Sequence, residues 1–249
     1  MVTTPDFSFF PPRLLATDFN DFIGLNSTPG QNSLINYAGG LWALAGNDTI
    51  YGSALSEVIL GNLNNDQLRG GPGGDRLLGG QNEDLLFGEN GDDLLRGDLG
   101  DDQMFGEAGN DSLRGGQGND ILDGGIGQDF LIGDLGIDNL AGGAGFDTLV
   151  FRTDEANFNP NLVDLILDWN PTQDYIGLTH GLSYSNLAFD TSRNLAGGGA
   201  NDTLIVIGST GQSLGIVVDY TLGLGPANFT TITTNDLQVG SNVFFPLIP

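Results

Sequence analysis

From Ile50 to Leu149 an aliphatic residue or Met stands at every ninth position: Ile50, Ile59, Leu68, Leu77, Leu86, Leu95, Met104, Leu113, Leu122, Leu131, Leu140 and Leu149. Two residues before each is an acid, in order Asp48, Glu57, Asp66, Asp75, Asp84, Asp93, Asp102, Asp111, Asp120, Asp129, Asp138 and Asp147. With the acid as position 6 and the aliphatic as position 8, twelve nine-residue units run unbroken from Ala43 to Val150. Position 1 is Gly in every unit but the first, and position 4 is Gly except at Leu55, Asn64 and Asn82. Asn tolerates left-handed backbone, which leaves Leu55 as the misfit. The pattern predicts a Gly-rich turn and a three-residue strand in each unit, with position 8 in a thin core and positions 7 and 9 facing out. Units that bury their apolar side chains only by stacking on neighbours make an all-β solenoid.

The register is broken on both sides of the array. Asn20-Asp21-Phe22-Ile23-Gly24 and Ser33-Leu34-Ile35-Asn36 read as degenerate units, and Phe7 to Pro12 is apolar but pairs poorly because of its prolines. Residues 1–42 are therefore expected to form an N-terminal leader and cap. After Val150 the period ends, and β-type runs at Leu162–Leu167, Tyr175–Leu178, Thr203–Gly208, Gly215–Tyr220, Phe229–Thr233 and Val243–Phe245 predict a β-rich C-terminal domain over 151–249.

Composition adds exclusions. The 41 glycines carry a large entropic cost, so many positions must need unusual dihedrals, here positions 1, 2 and 4 of each turn. A net charge of −25 argues against nucleic acid and anionic membrane as partners. All seven basic residues are Arg, which removes Walker-A loops and Schiff-base chemistry. The absence of Cys excludes disulfides and thiolate metal sites. No apolar run is long enough for a transmembrane segment, and the N-terminus lacks the pattern of a cleaved signal peptide, so export is expected by a route that needs none.

The unit reads G-G-x-G-x-D-x-U-x, most plainly in Gly115-Gly116-Gln117-Gly118-Asn119-Asp120-Ile121-Leu122-Asp123. It resembles the RTX (repeats-in-toxin) family, the haemolysin-type calcium-binding nonapeptide. The stretch from Asp164 to Leu178 resembles a segment that often follows such repeats, with Gly177 where that segment has Asp. The resemblance implies a parallel β-roll in which two units make one coil, Ca²⁺ as the cofactor, and type I secretion to the outside or the cell surface through an uncleaved C-terminal signal. Gln238–Pro249 is compatible with such a signal.

Stacking the coils builds two acidic ladders, one of Asp48, Asp66, Asp84, Asp102, Asp120 and Asp138, the other of Glu57, Asp75, Asp93, Asp111, Asp129 and Asp147. Neighbouring charges would repel by about 3 kcal/mol at roughly 5 Å and an effective dielectric of ~20. Ca²⁺ is a hard cation that takes 6–8 oxygens, so the eleven Asp are the expected metal ligands, together with turn carbonyls. About eight to ten ions would fill the ladders, with the gap at Glu57 set apart.

Other motifs are weaker. Gly211-Gln212-Ser213-Leu214-Gly215 matches the G-x-S-x-G nucleophile elbow, but that elbow needs a strand-to-helix turn and a later His, whereas the single His180 lies upstream. A Gly-rich turn is the preferred reading. The first acid of Asp92-Asp93 and Asp101-Asp102 reads as solvated charge or an outer calcium contact. Outward Leu85, Phe87, Phe105 and Ile121 on one sheet, and Leu78, Leu94, Phe130 and Ile132 on the other, imply either a covered face or self-association. Ile137 and Phe146, at otherwise polar positions 5, favour docking of the C-terminal region there. The expected protein is a calcium-binding, secreted structural protein, a homo-oligomer or polymer in a surface layer, sheath or filament, and not an enzyme. A hydrolase built on Ser213 and a calcium-dependent adhesin or toxin module are the alternatives.

Overall fold

The structure is a computed structural model that describes residues 4–6, 13–25, 40–152, 159, 161–196, 201–218, 220 and 224–232. The apolar stretches Phe7–Pro12 and Val243–Ile248, the degenerate unit Ser33–Asn36 and the segment Gln238–Pro249 lie outside them. Within the array most strands are six residues long, for example Leu85–Asn90, Leu94–Leu99 and Gln103–Ala108. Each covers positions 7 to 9 of one unit and 1 to 3 of the next, twice the expected length. The cause is position 2, whose left-handed backbone (φ 76° at Glu89, 78° at Asp98) bends the strand without ending its pairing. Only Gly97 at position 1 drops out of the register, and pairing resumes at the bend itself, as in Asp98↔Gly116 and Leu99↔Gln117.

Among the described residues there are two eleven-stranded sheets, and successive strands of the array alternate between them. Each array strand pairs in parallel with the strands two units away, so Leu95 lies beside Leu77 and Leu113, and Met104 beside Leu86 and Leu122. Two units therefore make one coil. The position-8 side chains meet between the sheets in one continuous buried cluster.

This pairing does not stop at the ends of the array. On the N-terminal side Ile23 pairs with Ile50 and Leu14 with Leu41. On the C-terminal side Ile166 pairs with Leu140 and Ile176 with Leu149. Strand Ser213–Val217 then adds in parallel to Asp164–Ile166, followed by Asp202–Ile207 and Leu187–Arg193 in antiparallel order. Phe229–Thr231 extends the other sheet beside Tyr175–Leu178. Leu187–Arg193 is absent from the sequence expectation because it is an edge strand in which only Leu187 and Phe189 pack against the core and the run from Asp190 to Arg193 is polar. Among the described residues no helix is long and apolar enough to cross a membrane.

Gly177 now has a packing reason. A Cβ there would stand 2.7 Å from Ile232 and 2.9 Å from Val150, so Gly lets Ile232 close over the sheet. Ile132, Val150 and Ile232 form a buried cluster with Phe130 against it, so the C-terminal region covers one end of that outer face. Ile137 lines a small cavity with Val163, Leu195 and Ile216, whereas Phe146 stays 52% exposed.

Leu95 is fully buried between the sheets, while Leu94 lies on the outer face. In calcium, Leu95→Ala is expected to lower the unfolding free energy by about 2–5 kcal/mol. Leu94→Ala should cost a small fraction of that; urea denaturation of the two variants makes the comparison.

Candidate metal centre

All twelve position-6 acids are buried, at 3% exposure or less. Their geometry repeats from coil to coil. The backbone N–H of Asp66 donates to Asp84 Oδ1 (2.8 Å), that of Asp84 to Asp102 Oδ1 (2.8 Å), and that of Asp102 to Asp120 Oδ1 (2.8 Å). On the other ladder Asp75 donates to Asp93 (2.7 Å), Asp93 to Asp111 (2.8 Å) and Asp111 to Asp129 (2.8 Å). One oxygen of each carboxylate is thus fixed by the preceding coil. The other oxygen, Oδ2, is buried and finds no hydrogen-bond donor in any of the eleven array Asp residues. A buried carboxylate oxygen left without a partner is strongly unfavourable.

Position 1 explains where those oxygens face. The expectation of unusual dihedrals fails there, since Gly97 is not left-handed. It is Gly for space: a Cβ would lie 2.0 Å from Asp102 Oδ2 and 2.8 Å from the carbonyl oxygen of Gly115 in the next coil. The same cradle recurs at Gly106, where Asp111 Oδ2 (2.4 Å) and the Gly124 carbonyl (2.5 Å) converge. The dihedral argument does hold at position 4, as at Gly91 with φ 137°. Position 2 is left-handed in every unit except that of Ser53, even where it is not Gly. Three of its four acids are held by Arg: Glu89 by Arg69 (3.2 Å), Asp98 by Arg96, and Asp134 by both Arg114 and Arg152.

Position 5 has a role that the sequence did not show. The N–H of Asn110 donates to Asp92 Oδ1 (2.8 Å) and that of Asn119 to Asp101 Oδ1 (2.7 Å). Gln128 does the same to Asn110 Oδ1 (2.9 Å). Position 5 therefore accepts from the following coil while position 6 accepts from the preceding one, and Asp92 and Asp101 serve as main-chain acceptors.

Three ladder residues outside the array were missed: Asp21, Asp164 and Asp174. Asp21 N donates to Asp48 Oδ1 (2.6 Å), Asp138 N to Asp164 Oδ1 (3.0 Å) and Asp147 N to Asp174 Oδ1 (3.3 Å). Each stands two residues before a core Ile (Ile23, Ile166, Ile176), the same acid-x-aliphatic signature. The signal was hidden because these coils are 26 or 27 residues long instead of 18.

These donors suit a hard cation. Among the described residues no three His, Cys, Asp or Glu side chains converge, so an ion between coils would be held by one or two carboxylates completed by turn carbonyls. An all-oxygen set of that kind matches Ca²⁺ and not the softer transition metals. Ser213 offers no comparable site. It is the buried first residue of strand Ser213–Val217, and the hairpin from Asp202–Ile207 places Gly211 (φ 75°) in a turn between strands, with no strand-to-helix elbow.

Burial raises the ladder carboxyls above the ordinary Asp value of 3.8, with the main-chain N–H donor opposing and neighbouring carboxylates adding to the rise. Asp84 and Asp120 are pushed up to about 8, Asp66, Asp75 and Asp111 to about 7, and Asp48, Asp93, Asp102 and Asp129 to about 6. The metal-free roll therefore binds more protons than the unfolded chain between about pH 4 and 8. Its stability is greatest below that window and falls as pH rises through it. Circular dichroism in chelator should show the β signature strengthening from pH 8 to pH 4, and metal-free stability that fell as the pH was lowered over that interval would contradict the assignment.

The family profile of the RTX calcium-binding nonapeptide repeat matches residues 41–68, 60–95, 69–104, 96–131 and 132–150. Among solved structures, the chain is similar to the AlgE6R3 subunit from the Azotobacter vinelandii mannuronan C5-epimerase, at 27% identity and a TM-score of 0.36, over 61% of this chain and 80% of that one. It is also similar to the extracellular lipase LipA from Serratia marcescens, at 15% identity and a TM-score of 0.25, over 83% of this chain and 42% of that one. No curated protein matches the chain. Residues 41–150 are an array of RTX calcium-binding nonapeptide repeats, wound as a parallel β-roll.

Proposed function

We propose that this protein is a secreted structural protein whose roll folds when Ca²⁺ fills the two ladders and whose loaded form self-assembles into a surface layer, sheath or filament. The eleven buried Asp Oδ2 atoms without donors carry the calcium part. Asp48, Asp66, Asp75, Asp84, Asp93, Asp102, Asp111, Asp120, Asp129, Asp138 and Asp147 would hold the ions with the position-1 carbonyls, about eight to ten ions in all. An ion supplies the positive charge and the missing oxygen partner; the chain supplies rigid spacing and exclusion of water. With a Kd near 10⁻⁴ M, typical of extracellular modules, ~1 mM Ca²⁺ adds about 1.4 kcal/mol per site. Cytosolic calcium would add almost nothing, so folding is coupled to export, and type I secretion through a C-terminal signal suits a chain of such repeats. In this reading 1–42 caps the roll and 151–249 prolongs it.

The outer faces support assembly. Leu63, Leu99 and Leu135 are 42%, 42% and 44% exposed and stand in one row, alternating in register with Gln81 and Gln117. On the opposite sheet Phe87 stacks on Phe105 at 5.2 Å, with the Arg69 guanidinium 4.0 Å from the Phe87 ring. Apolar rows of this kind on a sheet face mark interaction surfaces.

Two measurements test the two halves separately. At pH 7.5 the β signature in circular dichroism should collapse in chelator and return in millimolar Ca²⁺; a signature indifferent to chelator sinks the calcium-folding reading. Sedimentation velocity across a Ca²⁺ titration should then show large species appearing in the millimolar range. A monomer at every concentration removes assembly and leaves calcium-coupled folding standing.

A further inference from the structure

One rung of the array differs from the rest. Where the eleven Asp residues each leave Oδ2 without a donor, both oxygens of Glu57 are occupied by its own turn. Oε2 accepts from the Ser53 N–H (3.0 Å), and Oε1 accepts from the Ser53 hydroxyl. The longer Glu side chain is what allows the carboxylate to fold back this far. The Ser53 hydroxyl oxygen in turn accepts from the Leu55 N–H (3.2 Å).

The cradle beside position 1 is shut as well. A Cβ at Gly52 would lie 1.7 Å from the Gly70 carbonyl oxygen, and no carboxylate oxygen is among its nearest neighbours, in contrast to Gly97 and Gly106. Neither Ser53 at position 2 nor Leu55 at position 4 is left-handed, so the turn itself takes another path. That accounts for Leu55, the residue that breaks the position-4 pattern.

The same closure recurs beyond the array. Asp21 Oδ2 accepts from the Thr17 N–H (2.8 Å) and hydroxyl (2.7 Å), and Asp174 Oδ2 accepts from the Asn170 N–H (2.7 Å). In each case the donor stands four residues before the acid.

We infer that the gap between Glu57 and Asp75 takes no calcium ion, because Ser53 supplies as hydrogen bonds what an ion supplies elsewhere. Calcium on that ladder begins at Asp75, one coil after the other ladder's first array Asp, Asp48. The inference rests on the calcium reading above and assigns Glu57 and Ser53 to holding their rung without metal.

Native mass spectrometry of the full chain in saturating Ca²⁺ counts the ions. Glu57→Gln keeps an oxygen for Ser53 and should carry the same number of ions as the wild type. Ser53→Gly/Leu55→Gly/Glu57→Asp writes the repeat into this unit and should carry one more. A Glu57→Gln chain with one ion fewer overturns the inference, as does a triple variant whose count is unchanged. A wild-type chain that binds no calcium would instead overturn the function proposed above. If the triple variant does not fold, the Glu57→Gln count decides alone.

Discussion

The roll depends on a row of carboxylates held where carboxylates are least comfortable. Each array Asp has one oxygen fixed by a backbone N–H of the preceding coil, so it cannot swing out to water without opening the stack. The second oxygen is left in a buried notch opposite a carbonyl. A hydrophobic core one side chain thick is all that stands against this charge, since only position 8 of each unit reaches the interior. Packing sets the shape, and the electrostatics of the ladders decide when that shape is stable.

Much of this could be read from the sequence because a strict period carries both halves of the design. The acid and the aliphatic two residues later specify ladder and core together, while the coil of two units came with the resemblance that the whole nine-residue motif carries. What could not be read is what depends on contact between coils. Position 1 and position 4 are both Gly, yet Gly97 is Gly to leave room for an oxygen and Gly91 is Gly for its backbone angle. Asp92 and Asp101 look like spare charge until the N–H groups that they accept are seen one coil on. Asp164 and Asp174 kept the ladder signature but lost the spacing, and a reading built on period passes over them.

The Arg residues show how the outer faces accommodate a strained backbone. Position 2 is left-handed in almost every unit, and Glu or Asp occupies it where Gly would be easier. Arg69, Arg96 and Arg114 each hold one of these acids, which ties the bend in a strand to a charge on its outer surface. Although the chain carries a large acidic excess, much of its small basic content is therefore committed to keeping strands continuous.

Because successive units alternate between the two sheets, the array cannot change length freely. Loss or gain of a single nine-residue unit would send every later strand to the opposite sheet. Leu165 and Tyr175 would then adjoin the wrong neighbours, and the strands after Val150 would meet the face they were not shaped for. Counted in whole repeat units, eighteen residues is the smallest gain or loss that leaves each strand on its own sheet and each Asp on its own ladder, whereas the coils of 26 and 27 residues at the ends carry their extra length without adding a unit. For a regular array of this kind the coding sequence can therefore gain or lose whole units only in steps of fifty-four nucleotides, twice the twenty-seven that encode one repeat.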